Sequence, residues 1–313
     1  MAEDEIAWGR RPGTGWTTVT PGAHVRTDLA GDLAHRLMAW QLVLPFWASF
    51  TGLTVAMLRG WWVPPLPDGL PMFVASGRSD RIDRVGLAVC RHDVLPTWEL
   101  VDGVRVTSSA EALLACARDL ALLDVVLLGD ASLHVGDVSL DELRVVARQR
   151  RRGSPLLRRA IPLMDGRAES IYEGLLRMLH VVCGVAVEPQ YVVRGPHGDV
   201  TARADLRILG TRRLPEYDGE DHLRRARQRQ DLRRAGRISD AGFERRGYTK
   251  EDVLFAGSTI LRDADRALGR PHEAARIAAW HELLRASLFS ASGRYRLMRR
   301  LALGDESAER MGG

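Results

Sequence analysis

Hydrophobic and polar positions along this 313-residue chain repeat with two periods, and the switches between them mark its elements. Trp16-Thr17-Thr18-Val19 and His24-Val25-Arg26 read as a glycine-punctuated strand pair. Leu37 to Leu58 is 22 residues without a charge, flanked by Arg36 and Arg59, which is long enough to span a bilayer. Gln41, Ser49, Thr51 and Thr54 dilute it and Pro45 interrupts it, so two buried helices at 29–44 and 47–59 are expected instead. From Pro71 to Thr107 the period is that of strands, at residues 72–75, 86–89 and 104–107. Ser108 or Ser109 then caps a helix to about Leu120. Helices follow at 121–134, 139–152 and 154–161, the second opened by a Ser139–Glu142 capping box. The run Arg148-Gln149-Arg150-Arg151-Arg152-Gly153 ends that helix, either complementing its dipole or offering a phosphate patch.

Residues 161–167, with Pro162, Asp165 and Gly166, form the best boundary, and the expected domains are 1–164, 165–270 and a helical tail at 271–313. Past the boundary, Ile171, Leu175, Leu179 and Val182 place one apolar stripe on a helix over 168–183. A hairpin of 190–194 and 200–208 follows, then a strand at 214–217, a helix at 222–237 and a strand at 243–248. Thr249 and Asp252 cap a helix to about Leu268, and Pro271 to Leu303 reads as one or two amphipathic helices. The fold class is therefore α/β, an α+β mixed sheet flanked by helices, behind a mostly helical α+β region.

Composition adds a basic tilt. Lys and Arg number 45 against 40 Asp and Glu, a net charge of +5, and Lys250 is the only lysine. A GC-rich coding bias accounts for much of the arginine, yet the planar guanidinium also suits phosphate. Cys90, Cys116 and Cys183 have no metal-like spacing and read as buried thiols of a reducing compartment. The acidic start Ala2-Glu3-Asp4-Glu5 is unlike a signal peptide, so a cytoplasmic location without a membrane partner is expected.

The candidate chemistry centres on Leu214 to His222. Glu216 and Asp218 lie two apart on a strand and share a face, while Asp205 sits on the preceding strand and Glu173 on the helix before it. Carboxylates from neighbouring elements are what Mg²⁺ (or Mn²⁺) needs for phosphodiester hydrolysis, with His222 as a candidate acid or base. Arg224, Arg225, Arg227, Arg229, Arg233, Arg234 and Arg237 follow as a comb. Taken singly, each acid is equally an ordinary strand-edge or helix-start charge.

Ser170-Ile171-Tyr172-Glu173, Ala202-Arg203-Ala204-Asp205-Leu206, Glu216-Tyr217-Asp218-Gly219…His222, Gln230-Asp231-Leu232-Arg233-Arg234 and the run from Gly242 to Thr249 together resemble the DUF559 family. Those small domains are related to very-short-patch-repair endonucleases in the PD-(D/E)XK nuclease superfamily. The resemblance implies a restriction-endonuclease-like fold, with Glu173, Asp205 and Glu216 as metal-binding acids. Beside these, Asp218 and His222 are candidate catalytic groups, and Arg224, Arg225, Arg233, Arg234 and Arg246 are candidate contacts to nucleic acid, DNA first. Asp218 stands where the superfamily's water-orienting lysine would be. The front half, through Gly15-Trp16-Thr17-Thr18-Val19-Thr20-Pro21-Gly22 and Phe50 to Gly60, resembles AbiEi-type antitoxin-like regulators, which implies a possible partner toxin. The expected function is a metal-dependent endonuclease-like protein acting on DNA in phage defence or repair. The alternative is a non-catalytic, nucleic-acid-binding regulator with a degenerate nuclease domain. The oligomeric state is left open.

Overall fold

In the computed structural model, which describes residues 5–195, 198–219 and 234–310, two units are set by which elements share a core. The first comprises residues up to Leu120, Asp137–Ile161 and Arg294 onward; the second comprises Ala121–Gly136 and Pro162–Gly293.

The first unit opens with a small antiparallel sheet in the order β1 (Ile6–Trp8), β3 (Ala23–Arg26), β2 (Trp16–Thr20). The uncharged stretch does not become two helices end to end. It forms α1 (Leu33–Gln41), the two-residue strand β4 (Ser49–Phe50) and α2 (Gly52–Leu58). Pro45 ends helical hydrogen bonding, and Phe50 then pairs with Val74 on one side and Val106 on the other. Gly52 turns the chain at φ 56°, and a Cβ there would touch Phe73 and Ala115. A mixed five-stranded sheet results, ordered β6 (Leu87–His92), β5 (Met72–Gly77), β4, β8 (Val104–Thr107), β7 (Trp98–Val101). Strand β7 has no counterpart in the sequence pattern, because Trp98, Glu99 and Leu100 are all exposed and the alternation of a half-buried strand is missing. Its two-residue turn to β8, Asp102-Gly103, has both residues at positive φ, the geometry that tight hairpins favour.

Ser108 caps α3 (Ser109–Asp119) by accepting the Glu111 N–H at 3.4 Å. Helix α5 (Leu140–Arg148) ends four residues earlier than its pattern predicts, since Gln149 is already extended. From the arginine run that follows, Arg151 turns inward and grips Glu111 with two bonds of 2.7 Å, ahead of α6 (Ser154–Ala160).

In the second unit α4 (Leu122–His134) is apolar almost all round and buried. That sets it apart from the linear division at 164: its Asp130 pairs with Arg177 at 2.7 Å, and its Asp124 accepts the Leu288 N–H at 3.0 Å. The last helix, α12 (Ala291–Arg310), likewise crosses the linear scheme. From Arg294 it counts with the first unit, where Arg300 donates to the Arg118 carbonyl at 2.9 Å.

Helix α7 (Ile171–Val182) precedes the antiparallel hairpin β9 (Val187–Arg194) and β10 (Val200–Ile208). Beside β10 runs β11 (Arg213–Tyr217), which pairs in parallel with β12 (Glu244–Tyr248). Between them the described residues 234–240 are helical (α8), and Ile238 joins Val193, Ala204 and Leu214 in the core. The helix expected to run to Leu268 is broken into α9 (Lys250–Phe255) and α10 (Gly257–Ala267). At the break, a Cβ on Gly257 would lie 3.0 Å from Trp280, a buried residue of α11 (Ile277–Ala286). Among the described residues no helix is long and apolar enough to cross a membrane.

Candidate acid centre

The second unit places three of the candidate acids in electrostatic reach of one another. Glu173 stands in the first turn of α7, where Ser170 caps the helix by accepting the Glu173 N–H at 3.2 Å. The Glu173 carboxylate in turn accepts from the Ser170 hydroxyl, the Glu169 N–H and the Gln190 amide, each at 2.9 Å. Burial raises its pKa, and these bonds oppose the rise.

Asp205 lies in the middle of β10 and accepts the Tyr217 N–H of β11 at 2.8 Å, the bond that ties the two strands at the site. Burial pushes its carboxyl up to about 7, and the negative charges of Glu173 and Glu216 push in the same direction. An aspartate near neutrality, crowded by two glutamates, is unlike a solvated strand-edge charge.

Glu216 is 3% exposed on β11. Its two oxygens accept both terminal nitrogens of Arg234 at 2.8 Å, a bidentate fork, and one also accepts the Arg245 Nε. Arg245 reaches on to Asp218, so one guanidinium spans the two same-face carboxylates. Arg246, the next residue, is half-exposed and 3.6 Å from Asp263, whose carboxylate is otherwise held by Arg213 and Tyr248. His222, Arg224, Arg225 and Arg233 lie outside the described residues.

The residue types are the hard oxygen donors that Mg²⁺ or Mn²⁺ takes, but their arrangement does not fit an ion. Among the described residues no group of three His, Cys, Asp or Glu side chains is placed to hold a metal, and Glu216 faces two guanidiniums.

Sequence reasoning passed over four participants. Arg245 reads as one more solvated strand arginine until β12 is laid parallel to β11. Gln190 gives no signal at all beyond standing near the start of a strand. The Tyr172 and Tyr217 rings stack at 4.9 Å and 15°, with the Lys250 ammonium 5.9 Å from the Tyr172 ring. Each tyrosine neighbours an acid of the centre in sequence, so the stack braces α7 against β11.

No family model matches the chain, and no solved structure matches it. It is similar to two uncharacterized proteins of Mycobacterium tuberculosis strains, MT2308 and Rv2248, each 31% identical over 175 residues. The match covers 53% of this chain and 64% of either relative, so it spans less than two thirds of the relatives' own length.

Proposed function

We propose that the second unit is an endonuclease-like module that engages the phosphodiester backbone of DNA at the Glu173–Asp205–Glu216 centre. The observation that carries this is the state of Asp205, a carboxyl lifted to about 7 by burial and by two neighbouring carboxylates. A carboxyl raised towards neutrality in this way is suited to passing a proton to or from a water or a leaving oxygen. Arg234 and Arg245, both held at Glu216, put positive charge beside it for the phosphate. The order α7, β9, β10, β11, α8, β12 supports a restriction-endonuclease-like fold as part of the same proposal. No step here runs through Mg²⁺ or Mn²⁺, since the acids as arranged do not fit either ion.

The second reading, a non-catalytic nucleic-acid-binding regulator, is favoured by one specific observation: both oxygens of Glu216 are already paired with arginine. A partner toxin and an antitoxin-like role for the first unit belong to these proposals and rest on the resemblance alone, while a cytoplasmic location is supported by the three free, buried cysteines.

The test is the salt dependence of binding to a labelled duplex. Engagement of the backbone predicts that log affinity falls linearly with log salt, and that Arg246→Gln lowers the slope by about one. Absence of binding at low salt would refute both readings.

A further inference from the structure

Two residues other than glycine have a left-handed backbone among the described residues: Asp102 at φ 49° and Gln190 at φ 52°. Asp102 is accounted for by its tight hairpin turn. Gln190 is not in a turn. It lies inside β9, where Pro189 pairs with Leu206 and Tyr191 with Ala204, so the register sets Gln190 level with Asp205. A left-handed glutamine in a strand forfeits its place in the ladder and brings its Cβ against the following carbonyl. The pairing register is the same on both sides of it, so the conformation is not the mark of a shift in register.

What the conformation delivers is a contact. The Gln190 amide donates to the Glu173 carboxylate at 2.9 Å, across from the oxygen that the Ser170 hydroxyl holds. Glu173 is thereby fixed from two sides, by its own helix cap and by the strand that faces Asp205. Local strain that persists beside a cluster of coupled acids is a signature of positioning.

We propose that Gln190 is the positioning residue of the acid centre: its strained backbone aims the side-chain amide at Glu173 and holds that carboxylate towards Asp205. This rests on the proposal that the centre is where a phosphodiester is handled, but its test does not depend on turnover.

In the full chain, Gln190→Ala and Gln190→Gly remove the same amide, while only glycine is at ease at φ 52°. Gln190→Gly is expected to melt above Gln190→Ala, the reverse of the usual order in a strand. Carbon-detected NMR titration, with Glu173→Gln and Asp205→Asn as assignment controls, is expected to show the Glu173 midpoint moving up in both variants. The Asp205 midpoint moves down with it, because a more protonated Glu173 repels it less. On a DNA substrate, turnover falls on the order of tenfold or more while KM holds. Carboxyl midpoints that stay put in both variants, or Gln190→Ala melting at or above Gln190→Gly, would overturn the assignment. A wild-type protein inert towards DNA would refute the functional proposal instead, and the melting and titration results would still decide Gln190.

Discussion

Gly247 lies directly beneath the carboxylate of Asp218: a Cβ on this glycine would come 1.7 Å from the Asp218 Oδ2. The parallel register pairs Gly247 with Glu216, so the bare position on β12 opens the lane in which Asp218 folds over to meet Arg245. Gly247→Ala is therefore expected to swing Asp218 away from Arg245. Since the clash is with the end of a short, one-third-exposed side chain, the cost is about 1 kcal/mol. A double-mutant cycle checks this. In an Asp218→Ala background the alanine at 247 is expected to cost nothing measurable.

Glu216 is the buried member of a four-residue ion cluster with Arg234, Arg245 and Asp218, whose two arginines remain about one-third exposed. Removing either arginine leaves the carboxylate one partner, and each single Arg→Ala change is expected to cost about 1 kcal/mol. Removing both strands a buried charge, so Arg234→Ala with Arg245→Ala is expected to cost more than the sum, about 3–5 kcal/mol in all. Urea denaturation of the two singles and the double measures the difference. Strict additivity would contradict the cluster.

Asp205 makes a signed prediction about pH. Its folded pKa of about 7 lies above that of the unfolded chain, so the folded state holds the proton more tightly. The stability this contributes is complete below about pH 4 and is lost as pH rises through about 7. Asp205→Asn keeps an acceptor for the Tyr217 N–H and cannot ionise. Its stability relative to wild type is expected to be near zero at pH 4 and to grow to about 1–3 kcal/mol by pH 8. Comparing the pair, rather than reading wild type alone, cancels the same-direction contributions of Asp124 and Asp130, also raised by burial. An offset that does not change with pH would contradict the shift.

Asp130 and Arg177 hold α4 to α7 through a pair in which both side chains are almost wholly buried. Asp130 also accepts the Asp165 N–H at 2.6 Å. Asp130→Ala leaves a guanidinium buried without its counter-charge and is expected to cost about 3–5 kcal/mol. The double change Asp130→Leu with Arg177→Met removes both charges and is expected to recover most of that loss, as chemical denaturation would show.

How much of this was legible in the sequence depended on whether a feature is local. The strand Val200–Ile208 was expected with the bounds it has, because alternation with one buried face is written residue by residue. The caps at Ser108, Ser139 and Thr249 were equally readable, as short side-chain-to-backbone spacings. Glu216 and Asp218 share a face as their spacing of two requires, and Arg245 touches both. What was not legible depends on partners far away in the chain. The break at Gly257 answers to Trp280, the membership of α4 to Arg177, and the role of Arg245 to a parallel pairing that no local pattern announces. Gln190 was hidden for another reason: a left-handed backbone at a glutamine has no compositional signature, and it shows only in the folded chain.

Asp205 and its neighbours are proposed to act on a nucleic-acid backbone, and plasmid cleavage by the full chain is the experiment that decides it. Wild type and Asp205→Ala are incubated with supercoiled plasmid and with branched or mismatched duplexes, in chelator and, in parallel, with Mg²⁺ or Mn²⁺ added. Nicked or linear products are expected from wild type and none above background from Asp205→Ala. Equal cleavage by the two proteins would contradict it, and equal inertness with retained, salt-steep DNA binding would leave the regulator in place of the nuclease.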